Sequence, residues 1–168
     1  MDLASIGLRI RELREAQEIS LSELARRSKI GKGTLSELES GRRNPTLETL
    51  YAITTTLRVP LSSALTSPAK ISGRAVEAIL IERFEADSSV TETYRVRIRS
   101  ETMQKSAAHS AGTKEHMIIF TGTAHVGPIT NPTLIGPGMH HSWAADVPHL
   151  YQASTENVEA LLIVRYPQ

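Results

Sequence analysis

The spacing of apolar positions changes once along the chain, near residue 70. Up to about residue 65, apolar residues recur three to four positions apart, which is the period of amphipathic helices. In the first such stretch, Ile6, Ile10 and Leu13 share one helix face. We therefore predict five helices, at about residues 3–16, 21–28, 32–40, 46–57 and 60–65.

After residue 75, apolar residues alternate with polar ones or form short runs rich in Val, Ile and Thr, which is typical of β-strands. Tyr94, Val96 and Ile98, for example, alternate with three arginines. Gly and Pro separate the runs, so this pattern predicts a sandwich or barrel of short strands. The predicted strands lie at about residues 75–84, 94–99, 116–121, 124–126, 133–135, 140–144, 149–153 and 158–166.

The segment TSPAKISG at residues 66–73 separates these two patterns and has the polar, Pro and Gly content of a linker. A chain of 168 residues can hold two small domains. We therefore predict an all-α domain over residues 1–66, a linker over 67–75 and an all-β domain over 76–168.

The helical part contains a specific local pattern at residues 20–47. Ser20 and Glu23 have the spacing of a capping box, which predicts a helix start at residue 21. A tight turn follows at 29–31, and Gly41 supplies the left-handed position that ends the next helix. Two short helices joined in this way form a helix-turn-helix, whose second helix can enter the major groove of DNA.

The second helix of this unit has an outward stripe of small, polar and charged side chains. Leu35 and Leu38 face inward, which leaves the stripe free to meet base edges, and bulky groups there would obstruct hydrogen bonding to bases. A polar face that only meets water is the alternative for this pattern alone. The predicted base-reading residues are Lys32, Gly33, Thr34, Ser36 and Glu37.

In order and spacing, these features resemble the lambda-repressor and Cro-like helix-turn-helix family, also called the xenobiotic-response-element (XRE) type, over about residues 5–65. The resemblance implies a five-helix DNA-binding domain that works as a homodimer on a palindromic operator in double-stranded DNA. It also implies that Arg42, Arg43 and Asn44 contact phosphates, to which planar guanidinium groups are suited.

The same resemblance predicts one ion pair and exposes two departures from the family pattern. Arg14 stands where the family has an arginine that pairs with the glutamate at Glu39. Glu18 replaces a common glycine before the second helix, which makes a left-handed turn there more costly. Leu21 replaces a frequent phosphate-binding glutamine, so one phosphate contact is expected to be missing.

Composition limits the other functions open to the chain. Residues 1–68 carry ten Lys and Arg against eight Asp and Glu, so DNA affinity must come from the placement of charges and from dimerisation. The absence of cysteine excludes disulfides, thiolate zinc sites and thiol sensing. No signal-like segment and no run of about 18 apolar residues occurs, so we expect a cytoplasmic protein without a membrane partner.

Two histidine-containing segments in the strand-rich part, 109–122 and 138–151, carry candidate chemistry. Together they resemble the two halves of the cupin signature, which implies an all-β cupin barrel, or double-stranded β-helix, over about residues 76–168. By this resemblance His109, Glu115 and His149 occupy metal-ligand positions. Ala111 stands where the family has a second histidine, so the ligand set is incomplete.

Two imidazoles and one carboxylate suffice for a divalent metal such as Zn²⁺, Fe²⁺, Mn²⁺ or Ni²⁺. The alternative is a cavity that has lost its metal and holds a small polar organic effector. The predicted pocket consists of His109, Glu115, Trp143, His149 and Tyr151. His116, His140 and His141 are predicted to be surface or hydrogen-bonded residues.

The sequence therefore predicts a bacterial transcription regulator, not an enzyme, in which effector or metal binding to the cupin domain changes operator binding. One alternative is a metal-dependent cupin enzyme, an isomerase or dioxygenase, fused to an autoregulatory DNA-binding domain; the missing second histidine disfavours it. Another is a protein whose barrel serves only to dimerise, which a barrel packed with large side chains would favour.

Overall fold

A helical unit and a β unit, residues 1–69 and 70–168, make up the chain in this computed structural model. The structure describes residues 3–65, 70–86 and 88–167. None of the helices in these ranges is both long and apolar enough to cross a membrane.

The helical unit contains four α-helices and one short 3-10 helix within the described residues. The α-helices are α1 (Leu3–Ala16), α2 (Leu21–Ser28), α3 (Lys32–Glu39) and α4 (Leu47–Thr56), and the 3-10 helix is Leu61–Ala64. The predicted short fifth helix is thus a 3-10 helix, and the unit has four α-helices in this range and not five. The four residues from Leu61 form a single tighter turn, and Pro60 before it donates no backbone hydrogen bond.

Local signals set the helix boundaries. The Ser20 hydroxyl accepts a hydrogen bond from the Glu23 backbone N–H at 3.2 Å, so the predicted cap of α2 is present. The Glu23 carboxylate binds Arg26 and Arg27. Gly41 adopts φ 71° after α3, and Glu18 adopts φ 56° in the turn before α2, as its position predicted.

Helices α1 and α3 approach each other closely at Gly7. A side-chain carbon at this position would overlap the carbonyl oxygen of Leu38, so only glycine fits. Fully buried leucine and isoleucine side chains fill the space inside the unit, and they are Ile10, Leu24, Leu35, Leu38, Leu50, Ile53, Leu57 and Leu61. This packing leaves the opposite face of α3 outside the core.

Across residues 70–86 and 88–167, the β unit has ten strands in two antiparallel sheets. The strands are β1 (Lys70–Ser72), β2 (Val76–Ala86), β3 (Ser89–Ile98), β4 (Met103–Ser106), β5 (Lys114–Thr121), β6 (Ala124–Pro128), β7 (Thr133–Ile135), β8 (His140–Ala144), β9 (His149–Ala153) and β10 (Val158–Pro167). The larger sheet has the order β1-β2-β3-β10-β5-β8, and the smaller sheet has the order β4-β9-β6-β7.

Alternate residues of the long strands are buried, as in β10, so each strand gives one face to the interior. Strands β5 and β8 of the larger sheet supply two candidate pocket residues, and β9 of the smaller sheet supplies two more. In the larger sheet, Glu115 lies directly opposite Trp143 in the register of β5 and β8.

The predicted linker over 67–75 requires a correction. Residues 70–72 form strand β1, in which Ile71 is buried and pairs with Ala78 of β2. The part of the predicted linker at 67–69 lies outside the described residues. Strand β4 was not predicted, and β3 begins five residues earlier than expected.

Candidate DNA interface and candidate metal centre

The predicted base-reading residues lie on one helix, α3, in the helical unit. Lys32, Gly33 and Glu37 are exposed, while Thr34 and Ser36 are half-buried. Leu35 and Leu38 are buried beneath them and fix the helix on the core. The outward face of α3 therefore carries only small, polar or charged groups.

Gly33 has no packing role within the described residues. A side-chain carbon added there would meet no atom within 4 Å, and its φ is not in the left-handed region. Glycine inside a helix is usually less stable than alanine by roughly 0.5–1 kcal/mol. The fold therefore gives no reason for glycine here, and the bare backbone is open to another molecule.

Exposed cations surround α3. Lys32 and Arg42 make no ion pair in the described part of the chain, and both are exposed. Arg43 lies 3.5 Å from the Glu37 carboxylate, and this pair is about half exposed. Asn44 follows in the same exposed loop.

Lys29 is a further exposed cation near α3, and it was not among the predicted site residues. It is the left-handed C-cap of α2, with φ 56°, and it is exposed without an ion pair among the described residues. The signal that could have identified it is its place in the turn before α3. By contrast, Arg26 and Arg27 are held by Glu23.

Arg14 and Glu39 form the ion pair that the family resemblance implied. Arg14 Nε donates to Glu39 Oε1 at 2.7 Å and Nη2 donates to Oε2 at 2.8 Å, with side chains 11% and 8% exposed. Arg14 also donates to the carbonyl oxygen of Ile19 at 2.9 Å. Hydrogen bonding to Glu39 raises the pKa of Arg14 above its ordinary value. The pair ties α1 to the end of α3 and so fixes the orientation of that helix.

The candidate metal centre brings together His109, Glu115 and His149 between the two sheets of the β unit. Their ligand atoms all lie within 4.8 Å of one another, and all three residues are buried. His109 Nε2 lies 2.9 Å from Glu115 Oε1, and the two histidine rings are 4.9 Å apart in an edge-to-face arrangement.

The ion pairs of Glu115 in the described residues are with these two histidines. Its Oε2 atom accepts a hydrogen bond from the Tyr151 hydroxyl at 2.5 Å. Burial raises the pKa of Glu115, but the charges of His149 and His109 and the two hydrogen bonds lower it more. The net pKa lies below the ordinary value, so the carboxylate is charged.

The orientation of His149 is set by the protein backbone. His149 Nδ1 lies 2.9 Å from the carbonyl oxygen of Val147, and because a carbonyl only accepts, Nδ1 carries a proton. The other ring nitrogen is Nε2. It makes no hydrogen bond within the described residues and lies 3.6 Å from Glu115 Oε2. The Glu115 carboxylate and a histidine nitrogen that lacks a hydrogen bond therefore face each other in a buried space.

Trp143 and Tyr151 complete the group of predicted pocket residues. Their rings are 6.1 Å apart and nearly perpendicular, and both side chains are buried. The indole N–H of Trp143 has no hydrogen-bond partner in the described part of the chain. The hydrogen bond from Tyr151 to Glu115 was not predicted from the sequence, because it depends on strands far apart in the chain.

The other three histidines of these segments point elsewhere. His116 Nδ1 lies 3.3 Å from His140 Nε2, and both residues are at least partly exposed. His141 stacks on Trp143 at 5.7 Å. None of the three belongs to the cluster of potential ligands in the described residues.

Comparisons with known proteins give a family for the helical unit and relatives for the chain. Residues 10–63 match the helix-turn-helix family HTH_3. The HTH-type transcriptional regulator SutR of Escherichia coli K12 is 25% identical over 166 residues, which cover 95% of this chain and 93% of SutR. The transcriptional regulator ClgR of Mycobacterium tuberculosis is 40% identical over 60 residues, which cover 36% of this chain and 54% of ClgR.

A solved structure shares the fold of both units. The crystal structure of an HTH_3 family transcriptional regulator from Vibrio cholerae superposes with a TM-score of 0.89 at 24% identity, covering 100% of this chain and 98% of that one. A helical unit followed by an antiparallel β unit therefore also occurs in a protein of known structure.

Proposed function

Residues 10–63 form a helix-turn-helix domain of the HTH_3 family, and on that premise we propose that the chain is a DNA-binding transcription regulator. The names of its relatives, all HTH-type or transcriptional regulators, support this function over an enzymatic one. It acts in the cytoplasm. A helix-turn-helix unit reads only a few base pairs by itself, so the chain binds a palindromic operator as a homodimer.

The bare, outward surface of α3 is the observation that carries this proposal. Gly33 lets the helix backbone approach the bases, and Lys32 and Glu37 reach base edges as donor and acceptor. Thr34 and Ser36 supply hydroxyl groups, which can bind both hydrogen-bond donors and hydrogen-bond acceptors on the base edges. Each true base contact is expected to contribute about 1–3 kcal/mol of discrimination.

The loop after α3 positions the protein on the DNA backbone. Arg42, Arg43 and Asn44 are exposed there, and guanidinium groups bind phosphate oxygens in pairs. Arg43 exchanges its contact with Glu37 for a phosphate when DNA binds. These contacts hold the helix in register without reading sequence.

The salt dependence of DNA binding tests the phosphate assignment. Arg42→Ala should weaken binding to all duplexes alike and reduce the slope of log K against log salt by about 1. Arg58→Ala is the matched control, because Arg58 is equally exposed in the same unit and lies after α4. Equal slopes for the two variants in fluorescence anisotropy titrations would contradict the assignment.

We further propose that the β unit is a cupin-like barrel and that its buried site binds a ligand. The supporting observation is His149 Nε2, which is buried 3.6 Å from the Glu115 carboxylate and makes no hydrogen bond among the described residues. A buried carboxylate is costly unless a cation balances its charge, and an ion held by Glu115 and the two histidines would do so. His109, Glu115 and His149 therefore fit a divalent ion such as Zn²⁺, Fe²⁺, Mn²⁺ or Ni²⁺, which would attract the polar groups of an effector.

A small polar organic effector is the second occupant that this site can hold. The unpartnered indole N–H of Trp143 suits an acceptor such as a carboxylate oxygen. An effector that binds one dimer arrangement better than another changes the spacing of the two recognition helices, and hence operator affinity. We propose that residues 1–69 contain the DNA-binding domain and residues 70–168 the sensor domain.

Calorimetric titration with Zn²⁺, Mn²⁺ and Ni²⁺ separates these occupants. Wild type should bind one ion, and His149→Ala should weaken binding at least about tenfold, because one of three protein ligands is lost. His125→Ala is the matched control, a histidine of the smaller sheet outside the cluster. If no ion binds, small carboxylates should raise the melting temperature of wild type and not of His149→Ala. No response to either class would contradict the site.

A further inference from the structure

The far end of β2 is an exposed strand edge. Strand β1 covers only residues 77–79 of β2, and no strand in the described ranges pairs with the outer edge of residues 81–86. Every residue of this segment is exposed, including Ile81 at 60% and Phe84 at 63%. We call residues 81–86 the β2 edge.

Such an edge has free backbone N–H and C=O groups that can pair with another strand. Charged residues normally protect exposed edges, but the β2 edge also presents two large apolar side chains. Because the described part of β1 pairs only with residues 77–79, a strand of about six residues fits without displacing any described element.

We propose that two copies of this chain pair antiparallel through their β2 edges, with Phe84 opposite Phe84 of the second copy. This proposal deepens the homodimer proposed above by naming the surface that forms it. The two larger sheets then join into one continuous sheet across a two-fold axis perpendicular to it.

The charges along the β2 edge select this register. A two-fold axis perpendicular to the sheet keeps each residue on the same face in both copies. Directly opposed side chains must also share a face, so the axis passes through one residue, which lies opposite its own copy. Centring the pair on Glu82, Arg83 or Glu85 sets like charges directly against each other, which destabilises a sheet. Centring it on Phe84 sets the two phenyl rings together.

The same register pairs opposite charges on the other face of the sheet. With Phe84 at the centre, Arg83 of each copy lies opposite Glu85 of the other. Within one chain these two residues already form an ion pair along the strand. Dimerisation therefore exchanges the exposed local pair of each copy for two pairs between copies, beside the Phe84 contact.

Disulfide cross-linking tests the register directly, because the chain has no cysteine of its own. Residues directly opposite in an antiparallel pair have Cα atoms about 4.5–5.5 Å apart, within the range that a disulfide spans. Phe84→Cys should therefore give a covalent dimer under mild copper–phenanthroline oxidation of the full chain. Arg83→Cys should not, since two such positions lie about 8 Å apart across the axis. Phe120→Cys is the matched control, an exposed phenylalanine of β5.

Charge exchange gives a second measurement in the reduced protein. By sedimentation velocity, Arg83→Glu and Glu85→Arg should each weaken dimerisation about tenfold, and the double variant should recover it. Cross-linking of Phe84→Cys no faster than Phe120→Cys, or a double variant no better than the singles, would overturn the proposal. If wild type still dimerised in that case, the β2 edge would be wrong while the proposed dimer stood. The proposed DNA-binding function would also stand in that case, because DNA binding is measured in a separate experiment.

Discussion

Replacing Gly33 by alanine should make the protein more stable and a poorer DNA binder. Gly33 lies in the first turn of α3, and an added side-chain carbon would meet no atom within 4 Å. Alanine restricts the unfolded chain and favours the helix, so the helical unit should gain about 0.5 kcal/mol. For a domain of this size, that gain raises the melting temperature by about 2–4 °C.

The same methyl group would stand between α3 and the bases. Overpacking of a close contact by one carbon costs about 1–3 kcal/mol, which corresponds to a loss of roughly 5- to 150-fold in operator affinity. Thermal unfolding by circular dichroism and fluorescence anisotropy on a selected operator measure the two effects in one variant. Because the stability gain excludes misfolding, unchanged affinity in a stabilised variant would refute the assignment of Gly33 to the DNA interface.

Three further predictions concern charges and donors inside the two units. Arg14→Ala should destabilise the helical unit by about 3–5 kcal/mol in urea denaturation, since it leaves Glu39 buried without its partner; a loss below about 1 kcal/mol would contradict this. Tyr151→Phe removes a hydrogen bond to a charged carboxylate and should cost about 1.5–3 kcal/mol, while the pKa of Glu115 rises; an unchanged urea midpoint would speak against it. The pKa of His116 is below its ordinary 6.5, because of burial and then nearby positive charge, so the β unit should lose stability as the pH falls through 6.5. Replacing His116 by glutamine should flatten that dependence, and a wild-type melting curve independent of pH between 7 and 5.5 would contradict it.

Local signals in the sequence predicted the helical unit well. The cap at Ser20 and the left-handed Gly41 each depend on residues within a few positions, so their effect could be read along the chain. The Arg14–Glu39 pair spans 25 positions and came from the family resemblance. Helical periodicity alone gives no reason to join those two residues.

The β unit was harder to predict where pairing joins distant strands. Strand β1 was interpreted as linker because its sequence is short and lies beside Pro and Gly, yet Ile71 is buried through pairing with β2. The hydroxyl of Tyr151 reaches Glu115 across 36 positions, and only the opposing placement of β9 and β5 brings them together. The orientation of the His149 ring likewise depends on the carbonyl of Val147, which no sequence motif marks.

The ratio of dissociation constants for a selected operator and a scrambled duplex of equal length tests the central claim most directly. The operator is obtained by in vitro selection from random sequences with the wild-type chain, and both constants are measured by anisotropy at one salt concentration. A sequence-reading regulator should prefer its operator by at least about 10³, and changing Lys32, Ser36 and Glu37 together to alanine should remove most of that preference. A wild-type ratio near one, or an unchanged ratio in the triple variant, would contradict the account.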